Sequence, residues 1–166
     1  AAQVTRTVTV EDTTAPVITL TGDAAVTVEC GDGYSDAGAT AADVCDGDLT
    51  SSIAVGGDTV DTGTPGTYTI TYDVSDAAGN PAAQVTRTVT VEDTTAPVIT
   101  LTGDAAVTVE CGDGYSDAGA TAADVCDGDL TSSIAVGGDT VDTGTPGTYT
   151  ITYDVSDAAG NAATQV

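Results

Sequence analysis

The chain has 166 residues, with 26 Asp and Glu against 2 Lys and Arg, a net charge of −24, and no His, Met, Trp or Phe. Without His there is no imidazole-based nucleophile pair or metal site, and without Lys there is no phosphate-loop lysine, Schiff base or Lys-Asn crosslink. The negative charge is shared by both halves, which argues against nucleic acid or an anionic membrane as partner and makes a cation the attractive one.

A hydrophobic fraction of 40% supplies enough Val, Ile, Ala and Tyr to build a core, so the acidity does not signal disorder. No apolar run approaches the length of a membrane span, so no membrane insertion is expected. The N-terminus lacks a signal-peptide pattern, which puts any secretion signal outside this segment.

Internal repetition governs the organisation. Val10-Glu11-Asp12-Thr13-Thr14-Ala15-Pro16-Val17-Ile18 recurs 81 residues later as Val91 to Ile99, and residues 1–85 overlay 82–166 with two differences, Pro81 against Ala162 and Ala83 against Thr164. A unit of this length is ordinary for a small β-domain with its own core.

Within a unit the apolar period is two. In chain order, strands are predicted at Val17–Leu20, Ala25–Cys30, Tyr68–Val74 and Val85–Val91, each alternating apolar residues with Thr or charge. Turns are expected at Gly22-Asp23, Gly56-Gly57-Asp58, Thr64-Pro65-Gly66 and Ala78-Gly79-Asn80-Pro81, and Ala39–Val44 is the one segment suited to a helical turn. The pattern reads as an all-β chain of tandem antiparallel β-sandwich domains or small barrels. Pro65-Gly66-Thr67-Tyr68 places a Tyr two residues after a turn glycine at the head of a strong strand, the position of the tyrosine corner in immunoglobulin-like sandwiches. Tyr68 and its counterpart Tyr149 are therefore expected to bond nearby backbone through their hydroxyls, with an ordinary core Tyr as the alternative.

Taken together, Asp12-Thr13-Thr14-Ala15-Pro16-Val17-Ile18, Cys30 and Cys45 followed by Asp46-Gly47-Asp48, and Pro65-Gly66-Thr67-Tyr68 with Asp76-Ala77-Ala78-Gly79-Asn80 resemble the HYR-type and related bacterial Ig-like surface repeats. Both copies carry every one of these features. The resemblance implies immunoglobulin-like sandwiches in secreted or surface-anchored proteins, where such arrays act as stalks, spacers or adhesive fibres, and it implies no particular ligand. The expected location is extracellular, at the cell surface.

If a repeat opens at Thr13, residues 13–93 form one complete repeat, 1–12 are the last strand of a preceding repeat or a donor strand, and 94–166 form a repeat lacking its own last strand. Two arrangements account for this phase. Either the segment is a window on a covalent array, or copies join head to tail by donor-strand exchange. Both lead to an open filament of identical copies.

Cys30, Cys45, Cys111 and Cys126 fall one pair per repeat. With no His and no second close pair, zinc is a poor fit. A disulfide within each repeat is expected, tying the second strand to the third and worth about 3 kcal/mol for a loop of that length; free thiols are the alternative.

The acids are the candidate chemistry. One end of a sandwich is expected to gather Glu11, Asp12, Asp32, Asp36, Asp46, Asp48, Asp76 and Asn80, and the next junction Glu92, Asp93, Asp113, Asp117, Asp127, Asp129, Asp157 and Asn161, with Asp23 able to reach the second junction. Convergent carboxylates need a compensating cation, and calcium (Ca2+) suits a set of Asp, Glu, Asn and carbonyl oxygens better than magnesium does. Of these, Glu11, Asp12, Asp46, Asp48, Asp76 and Asn80, with their counterparts Glu92, Asp93, Asp127, Asp129, Asp157 and Asn161, are the candidate ligands. A solvated acidic surface is the alternative. Arg6 and Arg87 are the only cations; each is expected to ion-pair with an Asp. Thr rows fit β-propensity, with O-glycans or a flat binding ladder as alternatives.

The expected function is a building block of an extracellular filament or surface stalk, stiffened by inter-domain calcium and one disulfide per repeat. An adhesin module binding a glycan or protein through its Asp-rich loops is the alternative, although identical loops suit a building block better. An enzyme is not expected, because a small sandwich with Tyr as its only aromatic offers no glycosidase-like cleft.

Overall fold

The computed structural model describes residues 2–166, so Ala1 of the 1–12 segment lies outside the described residues. The chain divides into two compact units. The first comprises residues up to Val28, Gly33–Thr62 and Gly66–Val91; the second comprises Glu29–Asp32, Gly63–Pro65 and Glu92–Val166.

In the first, the alternating segments form β1 (Val17–Leu20), β2 (Ala25–Glu29), β3 (Ala39–Asp43), β4 (Gly47–Asp48), β5 (Ala54–Gly57), β6 (Gly66–Asp73) and β7 (Val85–Glu92), with a 3-10 turn at Thr50–Ser52. One sheet has the order β1-β3-β4 and the other β2-β7-β6-β5. β1 and β3 are antiparallel, with Val17 opposite Ala42 and Leu20 opposite Ala39. β6 and β7 pair antiparallel from Gly66 opposite Val91 to Tyr72 opposite Val85. On the other side of β7, Thr88 N donates to Ala24 O at 2.9 Å and Cys30 N to Glu92 O at 2.7 Å. Those two bonds advance together along both strands, so β2 runs parallel to β7.

The core is where the two sheets face each other. Ile18 and Ala41 from one pack against Ile70, Tyr72 and Val89 from the other, with Val74 just past the end of β6. A fully buried Val contributes about 1.5 kcal/mol or more, so the period-two face of β7 is a main source of stability.

Two local expectations are corrected. Ala39–Val44 is no helical turn: Ala39–Asp43 is β3, where buried Ala41 and Asp43 alternate with exposed Thr40 and Ala42. Pairing with β1 overrides the helical preference of alanine. Gly56 and Gly57 are no turn either, since they close β5 opposite Thr71 and Ile70. Gly57 has φ 85°, and a Cβ there would strike the Thr69 carbonyl, so only glycine fits.

The second unit repeats the plan with β8 (Val98–Leu101), β9 (Ala120–Asp124), β10 (Gly128–Asp129), β11 (Ala135–Gly138) and β12 (Ile151–Asp154), a 3-10 turn at Thr131–Ser133, and sheets β10-β9-β8 and β11-β12. Ile99, Ala122, Tyr153 and Val155 form its core. Residues 107–110 and 147–150 are not strand, although their counterparts 26–29 and 66–69 are. In the first unit β7 holds both of those segments. In the second, the corresponding pairing begins and goes no further: Tyr153 N donates to Val166 O at 2.9 Å and Val166 N to Tyr153 O at 3.4 Å, where Tyr72 faces Val85 in the first.

Residues 2–12 carry almost the sequence of β7 and its approach, yet form no strand. Val8 and Val10 are 76% and 91% exposed, whereas the matching Val89 and Val91 are 0% and 2%.

Candidate metal centre and disulfide

At its start each repeat brings its acids together from three separate loops. In the first unit, carboxylate oxygens of Asp12, Asp46 and Asp76 lie within 4.8 Å of one another, and a second group of the same tightness joins Asp12, Asp43 and the Cys45 sulfur. In the second, the group is Asp93, Asp124 and Asp157. Asp43 ends β3, which returns antiparallel beside β1 and so delivers it to the start of the repeat. Asp46 sits in the β3–β4 turn, and Asp76 in the loop between β6 and β7.

Hydrogen bonds orient these groups. Asn80 Nδ2 donates to Asp76 Oδ2 at 2.7 Å and to Asp12 O at 3.2 Å, while Asn80 N donates to Asp76 Oδ1 at 2.7 Å. Asn161 repeats this with Asp157 and Asp93 O. Burial works to raise the Asp76 and Asp157 carboxyls, but the Asn80 and Asn161 amides outweigh it and hold both below the usual carboxylate range. Asp93 goes the other way: burial, with the charges of Asp124, Asp157 and Glu29, pushes it up.

Asp43 was absent from the expected ligands and is the most telling member. Its Oδ1 accepts from Cys45 N at 2.7 Å and Asp46 N at 3.0 Å, whereas its Oδ2 is buried with no partner, on a residue only 9% exposed. Asp124 matches it: Oδ1 accepts from Cys126 N and Asp127 N, and Oδ2 is buried and unpartnered. A buried carboxylate oxygen without a donor is costly unless a group from outside the chain meets it. The sequence signal was Asp43-x-Cys45-Asp46, which a helical turn over 39–44 would have aimed elsewhere.

Of the other expected ligands, Asp48, Asp129, Glu11, Glu92 and Asp127 lie outside these groups, while Asp46 belongs to the first. Asp48 and Asp129 accept from Thr50 N and Thr131 N, each at 2.9 Å, and shape the 3-10 turns. Glu11 is exposed, and the backbone of Glu92 receives Cys30 N. Asp46 Oδ2 and Asp127 Oδ2 accept from Ala77 N and Ala158 N, so both brace the late loop. Among the expected acids, Asp36 serves the core: it pairs with Arg87 Nη1 and accepts from Tyr72 Oη at 2.7 Å. Arg87 is fully buried and also donates to the carbonyls of Asp23, Thr21 and Gly38. Arg6 is exposed and makes no ion pair among the described residues.

The cysteines pair differently from the expectation of one disulfide inside each repeat. Cys30 is bonded to Cys126, with Cα atoms 5.7 Å apart, while Cys45 and Cys111 are free and exposed. Strand direction explains this. Asn80 bonds Asp12, so the approach to β7 lies at the start of the repeat beside Cys45, and the eight residues of β7 then carry the chain about 25 Å away to Glu92, where Cys30 sits. A disulfide cannot bridge that distance. Cys126 is available instead, because it occupies beside Asp93 the position that Cys45 occupies beside Asp12.

Glu29, another residue missed from the sequence, reinforces the attachment. Its carboxylate accepts from Thr94 N at 2.8 Å, Thr94 Oγ1 at 2.8 Å, Thr95 Oγ1 at 2.9 Å and Thr95 N at 3.1 Å. The Thr94 amide above all holds its carboxyl below the usual range. Tyr149 Oη donates to Thr145 O at 2.9 Å, and Tyr68 packs against the first core.

Facing antiparallel sheets, with a parallel β2 against β7, define an immunoglobulin-like β-sandwich. Residues 18–91 and 99–166 each match the Ig-like domain of bacterial surface proteins, and the chain belongs to that family. The pesticidal crystal protein Cry22Aa of Bacillus thuringiensis is 34% identical over 128 residues, which is 74% of this chain and 17% of that protein's length. Among solved structures, the lipoprotein BT2262 of Bacteroides thetaiotaomicron is similar at 28% identity and TM-score 0.43, over 52% of this chain and 45% of that one. CBM51-2 in complex with GlcNAc and INT domains from Clostridium perfringens ZmpB is similar at 28% identity and TM-score 0.38, over 53% of this chain and 20% of that one. No helix among the described residues is long and apolar enough to cross a membrane.

Proposed function

We propose that the chain is a structural, non-enzymatic segment of an extracellular filament or surface stalk, built from repeats joined head to tail and stiffened by calcium. The observation that carries this reading is the use made of the end of β2. Glu29 and Cys30 of one repeat hold Thr94, Thr95 and Cys126 of its successor, through four hydrogen bonds and a covalent bond. A residue pair devoted to the next identical repeat serves continuity of an array. In the chain-entropy model, closing a loop with a sequence separation of 96 contributes about 4 to 5 kcal/mol, more than the short intra-repeat loop would.

Calcium fits the acid groups. Their donors are carboxylate oxygens from three loops, and the unpartnered Oδ2 atoms of Asp43 and Asp124 are hard ligands aimed into a buried position. The Cys45 thiol beside Asp12 is pushed up by that carboxylate first. Calcium there would neutralise the mutual repulsion of Asp93, Asp124 and Asp157 and fix the start of the repeat to its β3 and late loops.

Thermal unfolding tests the reading. At extracellular-type affinities near 10⁻⁴ M, about 10 mM calcium stabilises each site by about 2.7 kcal/mol, which raises the midpoint of a small domain by roughly 10 °C or more over the same chain in EGTA. Superimposable curves in calcium and EGTA would contradict it.

A further inference from the structure

We infer that the Cys30–Cys126 disulfide controls the cation group of the second unit: the bond holds the Asp93, Asp124 and Asp157 carboxylates at ligand spacing, so calcium binds more tightly to the disulfide form, and bound calcium in turn protects the disulfide from thiol reductants. This rests on the calcium reading above and adds a redox control to that site. Every residue it uses belongs to the second unit.

The three carboxylates come from three segments, and the end of β2 grips two of them. Glu29 accepts four hydrogen bonds from Thr94 and Thr95, the residues that follow Asp93. The next residue, Cys30, is bonded to Cys126, two positions beyond Asp124. Cys126 lies in the turn that fixes Asp124: its N donates to Asp124 Oδ1 at 2.7 Å, as Asp127 N does at 2.9 Å, and Oδ2 is left buried and unpartnered. Val125 closes the fit, since a Cβ on Gly31 would lie 2.5 Å from Val125 Cγ1. Asp157 is tied to Asp93 by Asn161, whose Nδ2 donates to Asp157 Oδ2 at 2.8 Å and to Asp93 O at 3.1 Å. The disulfide is therefore the covalent link between the clasp on the Asp93 segment and the Asp124 turn.

That link sets the cost of assembling the group. Carboxylate oxygens within 4.8 Å of one another repel, and burial, then the charges of Asp124, Asp157 and Glu29, push the Asp93 carboxyl up. With the bond in place, the Asp124 turn is held against this repulsion before any cation arrives. Without it the turn is free to move off, and affinity falls in proportion to the fraction of time that the group is assembled. By linkage the reverse holds, so calcium favours the disulfide over the dithiol by the same factor. Small thiols can reach the bond through Cys126, which is half-buried, although Cys30 is 4% exposed. Two electrons and two protons then pass from a dithiol reductant to the two sulfurs; the S–S bond breaks, two thiols form, and the reductant closes to its own disulfide.

The test uses the full chain with Cys45→Ser and Cys111→Ser, so that one disulfide titrates. Equilibrated in a dithiothreitol redox buffer and read by alkylation and mass spectrometry, saturating calcium should shift the equilibrium toward the Cys30–Cys126 bond by roughly tenfold over EGTA, a usual size for coupling between sites. In the same chain with Asp124→Asn, calcium should leave that equilibrium unchanged; a shift as large as without the substitution would assign the effect to general stabilisation and overturn the proposal. The reciprocal measurement is a calorimetric titration with calcium of the Asp43→Asn chain, in which the second group dominates binding. Its dissociation constant should rise by the same factor when Cys30→Ser and Cys126→Ser are added, with circular dichroism in excess calcium confirming a retained β-sheet spectrum. Equal reduction in calcium and EGTA, or equal affinity with and without the bond, would overturn the coupling and leave the calcium reading standing. No calcium binding in either redox state would remove both.

Discussion

Arg87 is a guanidinium enclosed by an apolar sandwich, and its neighbours record the cost of keeping it there. Asp36 supplies the opposite charge, three carbonyls take further donors, and its Cζ lies 5.9 Å from the centre of the Tyr72 ring. Burial, and then the hydrogen bond to Asp36, push the Tyr72 hydroxyl up to about 12; the bond to Asp117, and then burial, do the same for Tyr153. A Tyr raised above its ordinary value near 10 stabilises the fold fully below that pH and loses the contribution as pH climbs toward the folded value. Both contributions should therefore vanish between about pH 10 and 12. Tyrosinate absorbance should show Tyr72 and Tyr153 ionising last, together with unfolding, and a folded chain in which all tyrosines ionise near pH 10 would contradict this. An ion pair between Arg87 and an Asp was legible in the sequence, because a cation buried amid so many acids needs an opposite charge, whereas Arg6 stays exposed without an ion pair among the described residues. The choice of Asp36, and the role of Asp43, were not legible: both depend on which loop each strand delivers to which end.

At the scale of elements, β7 decides the order of its neighbours. Where it is present, 26–29 and 66–69 are strands; where its counterpart stops at Val166, 107–110 and 147–150 are not. Hydrogen exchange should show amides at 26–29 and 66–69 protected and those at 107–110 and 147–150 exchanging rapidly in the single chain. Equal protection of both sets would contradict this dependence on β7. Period-two patterning made β1, β2, β6 and β7 legible, since each buries one face. β3, β4 and β5 were not read, because an Ala-rich run and a pair of glycines carry little periodicity and take their conformation from cross-strand pairing. Disulfide connectivity was hidden for a related reason. Spacing along the chain favours Cys30 with Cys45, but the length of β7 sets them at opposite ends of the strand.

For the whole molecule, the second repeat carries the same chemical groups as the first: Glu110 and Cys111 stand where Glu29 and Cys30 do, and Asp124 keeps the buried, unpartnered oxygen of Asp43. In the filament reading proposed above, continuity comes from bonds between neighbours rather than from larger cores. The tandem plan was evident from the 81-residue offset alone. Of the residues in the acid groups, Asp12, Asp46, Asp76, Asp93 and Asp157 were among the expected ligands, whereas Asp43 and Asp124 were not. Titration calorimetry with calcium probes that group most directly. The chain should bind two calcium ions, one per unit, with affinities of about 10⁻⁴ to 10⁻³ M, and Asp43→Asn combined with Asp124→Asn should abolish the binding heat without preventing folding. Absence of calcium binding by the parent chain, or unchanged binding by the double variant, would contradict the account.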